Sequence, residues 1–298
     1  MHNDYQPKIE PRPVIEKTLD ISFYWAAKTF ALAIAGVLIW ITIQVALKAM
    51  PAIQEFGLGF IISSNWNPVT SQYGVWPAMY GTIVSSLIAL LISVPIGIGV
   101  AIFLSEDFLP ASVQRIIVFL VELLAAVPSV VYGLWGIFVL IPFLKGITPL
   151  KGPGMLPAAL ILSVMILPTI AAIGRDAIIS VDQGMRQAAV GLGATRWEAI
   201  WQIILPAASS GIIGGIMLAL GRALGETMAV TMLIGNSNKV DPSVFAPSNT
   251  VSSLLANQFA EASGLQVAAL MYAALILFFI TLVVNVLAQL LVTRLQRI

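Results

Sequence analysis

The sequence predicts an all-α polytopic membrane protein with six transmembrane helices, and three observations carry that prediction. The 298 residues are 59% hydrophobic and only 10% charged, with a mean hydropathy of +0.96. That is too little charge to cover the surface of a soluble domain. Six nearly uncharged runs, at 29–47, 79–104, 116–144, 155–174, 207–235 and 265–292, are long enough for the roughly 20 residues a helix needs to cross a bilayer. Backbone groups in hydrocarbon find no water to bond, so runs of this length are helices.

Inventory removes whole classes of activity. The chain has no Cys, and its single His is His2, which excludes disulfide scaffolds, thiol nucleophiles, Cys-based metal sites and Ser-His triads. No Gly-Lys pair occurs, so there is no phosphate-cradling P-loop. A net charge of +1 offers no basic face to nucleic acid. No catalytic residue, metal or cofactor is expected.

The first run is too continuous with the body to be a cleaved signal peptide, and it reads as a retained anchor. Residues 1–28, with Pro7, Pro11 and Pro13, read as an N-terminal tail leading to an interfacial segment, and 29–298 as the six-helix domain. Six crossings put both ends on one side. That side collects Lys8, Arg12, Lys17, Lys28, Arg115, Arg175, Arg186, Arg196, Arg294 and Arg297, against Lys48, Lys145, Lys151 and Lys239 on the other. The positive-inside bias places both termini in the cytoplasm of a bacterial or archaeal cell, with the chain in its cytoplasmic (inner) membrane. Pro95, Pro128 and Pro168 should kink or divide their segments. Gly211, Gly215, Ala219 and Ala223 form a small-residue stripe on the fifth helix, fit either for packing within the chain or for a subunit interface.

Between the fourth and fifth runs, residues 175–206 are too polar for lipid. Ser180 with Gln183 fits a capping box opening a helix through Ala188 and Ala189, and Gly191 and Gly193 punctuate it. Thr195 with Glu198 fits a second box opening a helix through Trp197, Ile200, Trp201 and Ile204 that stops at Pro206. Two short helices meeting at a glycine turn make a compact knob, with an ordinary amphipathic connector as the alternative. The series Gln187-Ala188-Ala189, Gly193, Ile203, Leu205-Pro206 resembles the EAA loop of type I ABC importer permeases in every spacing, with Gln187 in place of the usual Glu. The resemblance implies a coupling loop that docks on a separate ATP-hydrolysing subunit, which agrees with the missing P-loop.

The fifth run carries charge where lipid tolerates little. At 1.5 Å per residue from position 207, Arg222 lies roughly 22 Å along the helix, near the bilayer midplane, and Glu226 follows one turn later on the same face. A lone charge there costs about 2.5–3.5 kcal/mol on insertion scales. A planar fork of donors suits a tetrahedral oxyanion, and a nearby carboxylate would hold it while weakening its grip. The alternative is a structural ion pair. Glu122, up to two turns into the third run, adds a second candidate, although a side chain so near the end can also snorkel. Phosphate near neutral pH carries a proton that a carboxylate can accept as a hydrogen bond and sulfate does not, so Glu122 or Glu226 could discriminate the two.

The segments 221–230 and 234–236 (Gly-Arg-Ala-Leu-Gly-Glu-Thr-Met-Ala-Val and Ile-Gly-Asn), 125–136 (Ala-Ala-Val-Pro-Ser-Val-Val-Tyr-Gly-Leu-Trp-Gly) and Trp66-Asn67-Pro68 resemble the C-type phosphate-specific permeases from about residue 64 to the C-terminus. The resemblance implies a complex with an A-type phosphate permease, a dimer of ATP-binding subunits and an extracytoplasmic phosphate-binding protein, all served by a chain embedded in the lipid bilayer. The loops 48–78 and 236–264 are the available docking surfaces, the latter with a short helix through 254–262 capped by Asn249, Thr250 or Ser252. Competing readings are the same machine importing sulfate, molybdate or tungstate, and, from another class, an autonomous anion channel or proton-coupled carrier using Arg222, Glu226 and Glu122 as a relay. A membrane scaffold without transport leaves the midplane charges without purpose.

Overall fold

The computed structural model describes residues 14–295 apart from 107 and 109, with side chains described from 19 to 290. By contact the chain divides into two units, Met1–Leu47 and Lys48–Ile298. Most of the described part of the first unit is helix α1 (Val14–Phe56). The hydroxyls of Ser22, Thr29 and Thr42 donate to the carbonyls of Leu19, Trp25 and Leu38, which satisfies these three on an apolar helix. Lys28 sits over the rings of Tyr24 and Trp25, a cluster suited to a membrane–water interface. The expected tail with Pro7, Pro11 and Pro13 lies outside the described residues, as do the side chains of Arg294 and Arg297. From Val14 onward no break separates an interfacial segment from the span.

The second unit is built on two long helices, α3 (Trp76–Ser105) and α7 (Met155–Ile179). They approach closely because small residues face each other. A Cβ on Gly97 would sit 2.8 Å from the Ile170 side chain, and one on Gly174 would meet Ala101 at 3.1 Å. Pro95 and Pro168 lie inside these helices without dividing them, as transmembrane helices allow when neighbours support the backbone. Pro128 does divide. Val127, ahead of it, is extended with ψ 128°, the conformation that a residue preceding proline favours. The third run is therefore two pieces: α4 (Ala111–Ala126) and, after the break, α5 (Ser129–Trp135), a wide π-type turn at Gly136–Leu140 and α6 (Ile141–Ile147). The segment long and apolar enough to span is Ser129–Ile147, not 116–144. The Tyr132 hydroxyl donates to the Leu124 carbonyl at 2.8 Å, closing one of the carbonyls that the break leaves open.

The fifth run is also divided. Helix α10 (Leu205–Gly225) ends where Glu226 turns extended, and α11 (Met228–Leu233) follows. Its small-residue stripe packs inside the chain. A Cβ on Gly211 would lie 2.5 Å from Ala177 and one on Gly215 3.0 Å from Ile173, so this face is spent on α7. Among the described residues, six helices are long and apolar enough to cross a membrane.

At one end of the bundle, α2 (Gly59–Ile62) and a tight hairpin bridging Asn67 and Gln72 precede α3. Phe60 stacks on Tyr272 at 4.7 Å, and Trp66 meets Tyr73 edge-on at 5.0 Å; burial pushes the Tyr73 phenol up. Thr250 caps α12 (Val251–Gln258) by accepting from Ser253 N at 3.1 Å, which settles the three candidate caps. The Val251 amide donates to the buried Thr82 hydroxyl at 3.0 Å. A Cβ on Gly81 would collide with the Asn249 carbonyl, so that glycine admits the 248–251 segment. The last helix is α13 (Leu265–Leu295).

Gly215→Leu would force α10 and α7 apart. The expected cost is about 1–3 kcal/mol of overpacking, read as a lower yield of folded protein in detergent and a lowered Tm, whereas Gly214→Ala, with open space around it, should leave both unchanged.

Candidate functional site

Two constellations stand out: a knob between α7 and α10, and a cleft at Arg222. The knob consists of α8 (Gln183–Gly191) and α9 (Arg196–Ala199). Asp182, not Ser180, caps α8, accepting from Gly184 N at 2.6 Å. The Ser180 hydroxyl instead donates back to the Ala177 carbonyl at the end of α7. Gly193 holds φ +85°, and Gly193 N and Ala194 N bond the carbonyls of Val190 and Ala189, closing α8 with the left-handed turn that glycine accepts. The second capping box is complete: Glu198 N donates to Thr195 Oγ1, and Thr195 N to Glu198 Oε2 at 2.7 Å.

The helix does not stop at Pro206. A π-type turn, Ile200–Ile204, joins α9 directly to α10, with the Leu205 amide bonded five residues back to Ile200. A widened turn makes room just where proline removes a donor and crowds the preceding carbonyls. Pro206 then sits in the first turn of α10, where proline is well tolerated.

The predicted coupling residues divide by exposure. Gln187, Ala188 and Gly193 are exposed, along with Val190 and Leu192. Ala189 is buried, and Ile203 and Leu205 are partly so. Of the expected apolar face, Ile200 and Ile204 join a buried cluster with Ala101, Ile102 and Ile178, while Trp197 and Trp201 stay exposed. The knob is anchored by a residue that the sequence reading counted only as a cytoplasmic charge. Arg186 Nη1 lies 2.5 Å from Glu106 Oε1 at the end of α3, and its Nη2 donates to the Ile178 carbonyl of α7 at 2.6 Å. Glu106 was legible as a carboxylate directly after a long apolar run, but its partner lies 80 positions away.

Arg222 lines a cleft of about 900 Å³ between α7, α10 and α13. The polar side chains there are Thr169, Ser210, Asn285 and Gln289, and Arg222 Nη1 donates to Thr169 Oγ1 at 3.5 Å. The expected i, i+4 pair with Glu226 is not made, because the helix ends at Gly225 and Glu226 leaves its face. Glu226 Oε1 accepts from Ala229 N at 3.3 Å and caps α11 instead. Among the described residues, the ion pairs are Arg175–Asp176 and Arg186–Glu106, so the Arg222 guanidinium is half-buried without a carboxylate. Glu122 is exposed on α4 and lines a separate small void with Val118, Ala171, Ala172 and Arg175. The Arg222 cleft is lined from α7 by Thr169 and by none of these positions. Arg222, Glu226 and Glu122 are therefore not brought together.

Residues 93–297 match the family described as "Binding-protein-dependent transport system inner membrane component". The chain belongs to that family. It is 41% identical to the phosphate transport system permease protein PstC of Mesorhizobium japonicum, over 93% of this chain and 91% of the relative. It is 40% identical to the Pasteurella multocida protein of the same name, over 94% and 93%. The probable PstC of Methanocaldococcus jannaschii is 36% identical over 80% and 82%. Among solved structures, a bacterial alginate ABC transporter in complex with a pentasaccharide-bound periplasmic protein matches with a TM-score of 0.63 at 18% identity, over 93% of this chain and 97% of that one. A methionine ABC transporter in inward-facing conformations matches at 0.56, over 74% and 94%. The fold is that of a type I ABC importer permease.

In this transport family, Gly193→Val is an informative change. The site has open space for a side chain, so the strain comes from φ alone, about 1–2 kcal/mol for an L-residue held left-handed. Uptake should fall at least several-fold while the amount of protein in the membrane stays the same; quantitative immunoblotting beside an uptake assay checks both.

Proposed function

We propose that this chain is the C-type permease subunit of an ATP-driven importer for inorganic phosphate, providing half of the translocation pathway. The observation that carries the reading is Arg222: a guanidinium without a carboxylate partner among the described residues, in a spanning helix, lining a cleft whose other polar groups are neutral hydroxyls and amides. Such a fork offers paired charge-assisted hydrogen bonds to two oxygens of a tetrahedral anion, and neutral neighbours add donors without repelling it. The names borne by the relatives at 36–41% identity favour phosphate as the cargo.

ATP is hydrolysed by a separate dimer of ATP-binding subunits, on which the exposed face of the knob docks through Gln187, Ala188 and Gly193. Ala189, Ile203 and Leu205 hold that face from behind, and the exposed Pro206 opens α10 beside it. Docking on the cytoplasmic side puts both termini there and the loops 48–78 and 236–264 outside, facing an extracytoplasmic phosphate-binding protein; an A-type phosphate permease completes the pathway. The pathway role rests on Arg222, since neither Glu122 nor Glu226 lines its cleft. The absence of any carboxylate from that lining also tells against a proton relay built on the three, and so against an autonomous carrier.

Uptake of radiolabelled phosphate by the assembled importer, with sulfate and molybdate as competitors, tests the reading. Uptake should require the ATP-binding subunits and resist tenfold excesses of either competitor. Uptake without those subunits would establish a carrier, and full competition by sulfate would change the cargo.

A further inference from the structure

The end of the bundle opposite the knob carries a second polar pocket that the Arg222 cleft does not account for. It has a volume of about 390 Å³ and brings together the 64–72 hairpin and the 237–239 turn. The pocket and the knob lie at opposite ends of α3. The hairpin lies just before the N-terminus of α3, and Glu106, which holds the knob, lies just after its C-terminus. Helix α3 has 30 residues, about 45 Å of helix at 1.5 Å each.

Of the pocket's lining, Asn67, Gln72, Asn238 and Lys239 bear on its chemistry, and no lining residue is acidic. The amides are set by what their oxygens already do. Asn67 Oδ1 accepts from the amides of Val69 and Thr70, at 3.0 and 3.4 Å, so its oxygen is committed to its own turn. Asn238 Oδ1 accepts from Asn249 Nδ2 at 2.7 Å. With both oxygens engaged, Asn67's by two bonds and Asn238's by one, each side chain offers its NH2 group, a two-proton donor. Lys239 is exposed and, among the described residues, has no ion-pair partner. The surplus is one of donors and positive charge.

The backing is fixed. The Trp66 indole N–H is given to Gln258 Oε1 at 2.5 Å, and Asn67 and Gln72 exchange backbone hydrogen bonds. Asn236, at φ +52°, donates to the Thr231 carbonyl and accepts from Ser253 Oγ. Ser237 N bonds the Ser248 carbonyl. Preformed donors beside a cation, without a carboxylate in the lining, suit an oxyanion.

We propose that Asn67, Asn238 and Lys239 form an external receiving site for a tetrahedral oxyanion, inorganic phosphate, which the anion occupies before it reaches Arg222. This deepens the reading above and rests on it for the identity of the anion. One ammonium and neutral amides, at the solvent-exposed mouth, make a weak site from which the anion can move on.

The test uses the assembled importer in lipid vesicles without binding protein, with inorganic phosphate as the probe. The rate at which a membrane-impermeant acylating reagent modifies Lys239 is followed by peptide mass spectrometry, with Lys151, on the same face, as the internal control. Phosphate near twice its dissociation constant should slow Lys239 acylation about threefold relative to chloride of equal ionic strength, leave Lys151 unchanged, and lose that protection in Asn67→Ala. In uptake, Lys239→Gln should raise the half-saturating concentration several-fold and hold the maximal rate. Equal slowing at Lys239 and Lys151, or none at either, overturns the site. So does slowing that appears only on adding phosphate-free binding protein, since the pocket would then be receiving that protein's acidic side chains. Arg222→Leu separates the two readings: with uptake abolished, Lys239 should still be protected.

Discussion

An unpaired guanidinium inside a spanning helix is the constraint around which the rest of this structure is arranged. Holding such a charge away from water costs several kcal/mol unless something solvates it. Its hydrogen bond among the described residues is to the Thr169 hydroxyl at 3.5 Å, a long and neutral bond that leaves most of the guanidinium's donors unspent. Along α10, Arg222 follows Gly215 by seven residues and Gly211 by eleven, in line with the stripe that packs closely on α7, so its side chain is directed to Thr169 of that helix. Ser210, Gly214 and Gly221, beside that stripe, line the open space together with Arg222.

The same packing ties the cleft to the knob. Arg186 grips Glu106 at the end of α3 and the Ile178 carbonyl near the end of α7, so a push on α8 reaches both central helices through one side chain. The second path is covalent: α9 runs through its π-type turn into α10 without a loop. A continuous helix transmits a rotation that a flexible linker would absorb. Each path ends on a helix that lines the Arg222 cleft.

Much of this was legible from the chain. Six spanning helices, the glycine turn at Gly193 and the Thr195–Glu198 box follow from hydrophobic length and from residues whose local chemistry admits one use, whereas the cap of α12 was narrowed only to three residues, of which Thr250 makes it. The failures share a physical cause. Glycine inside an apolar run costs a helix only about 1 kcal/mol, so Gly225 did not announce that α10 ends there. Glu226 reads as a helical neighbour of Arg222 until its carboxylate is seen capping α11. Pro128 divides its helix while Pro95 and Pro168 do not, because tertiary support decides whether a missing donor breaks a helix. Asp182 displaced Ser180 as a cap because the last turn of α7 already used the Ser180 hydroxyl. In each case the deciding partner came from elsewhere in the fold or from the next helix.

The most direct measurement is phosphate import by the reconstituted importer carrying Arg222→Leu beside Arg222→Lys, with the amount of assembled complex held equal. A charge-assisted contact of about 3 kcal/mol corresponds to roughly a hundredfold in rate or affinity. The account expects Leu to lose import by about that factor and Lys, which keeps the charge without the fork, to retain part of it. Import by the Leu variant at the unaltered rate would contradict it.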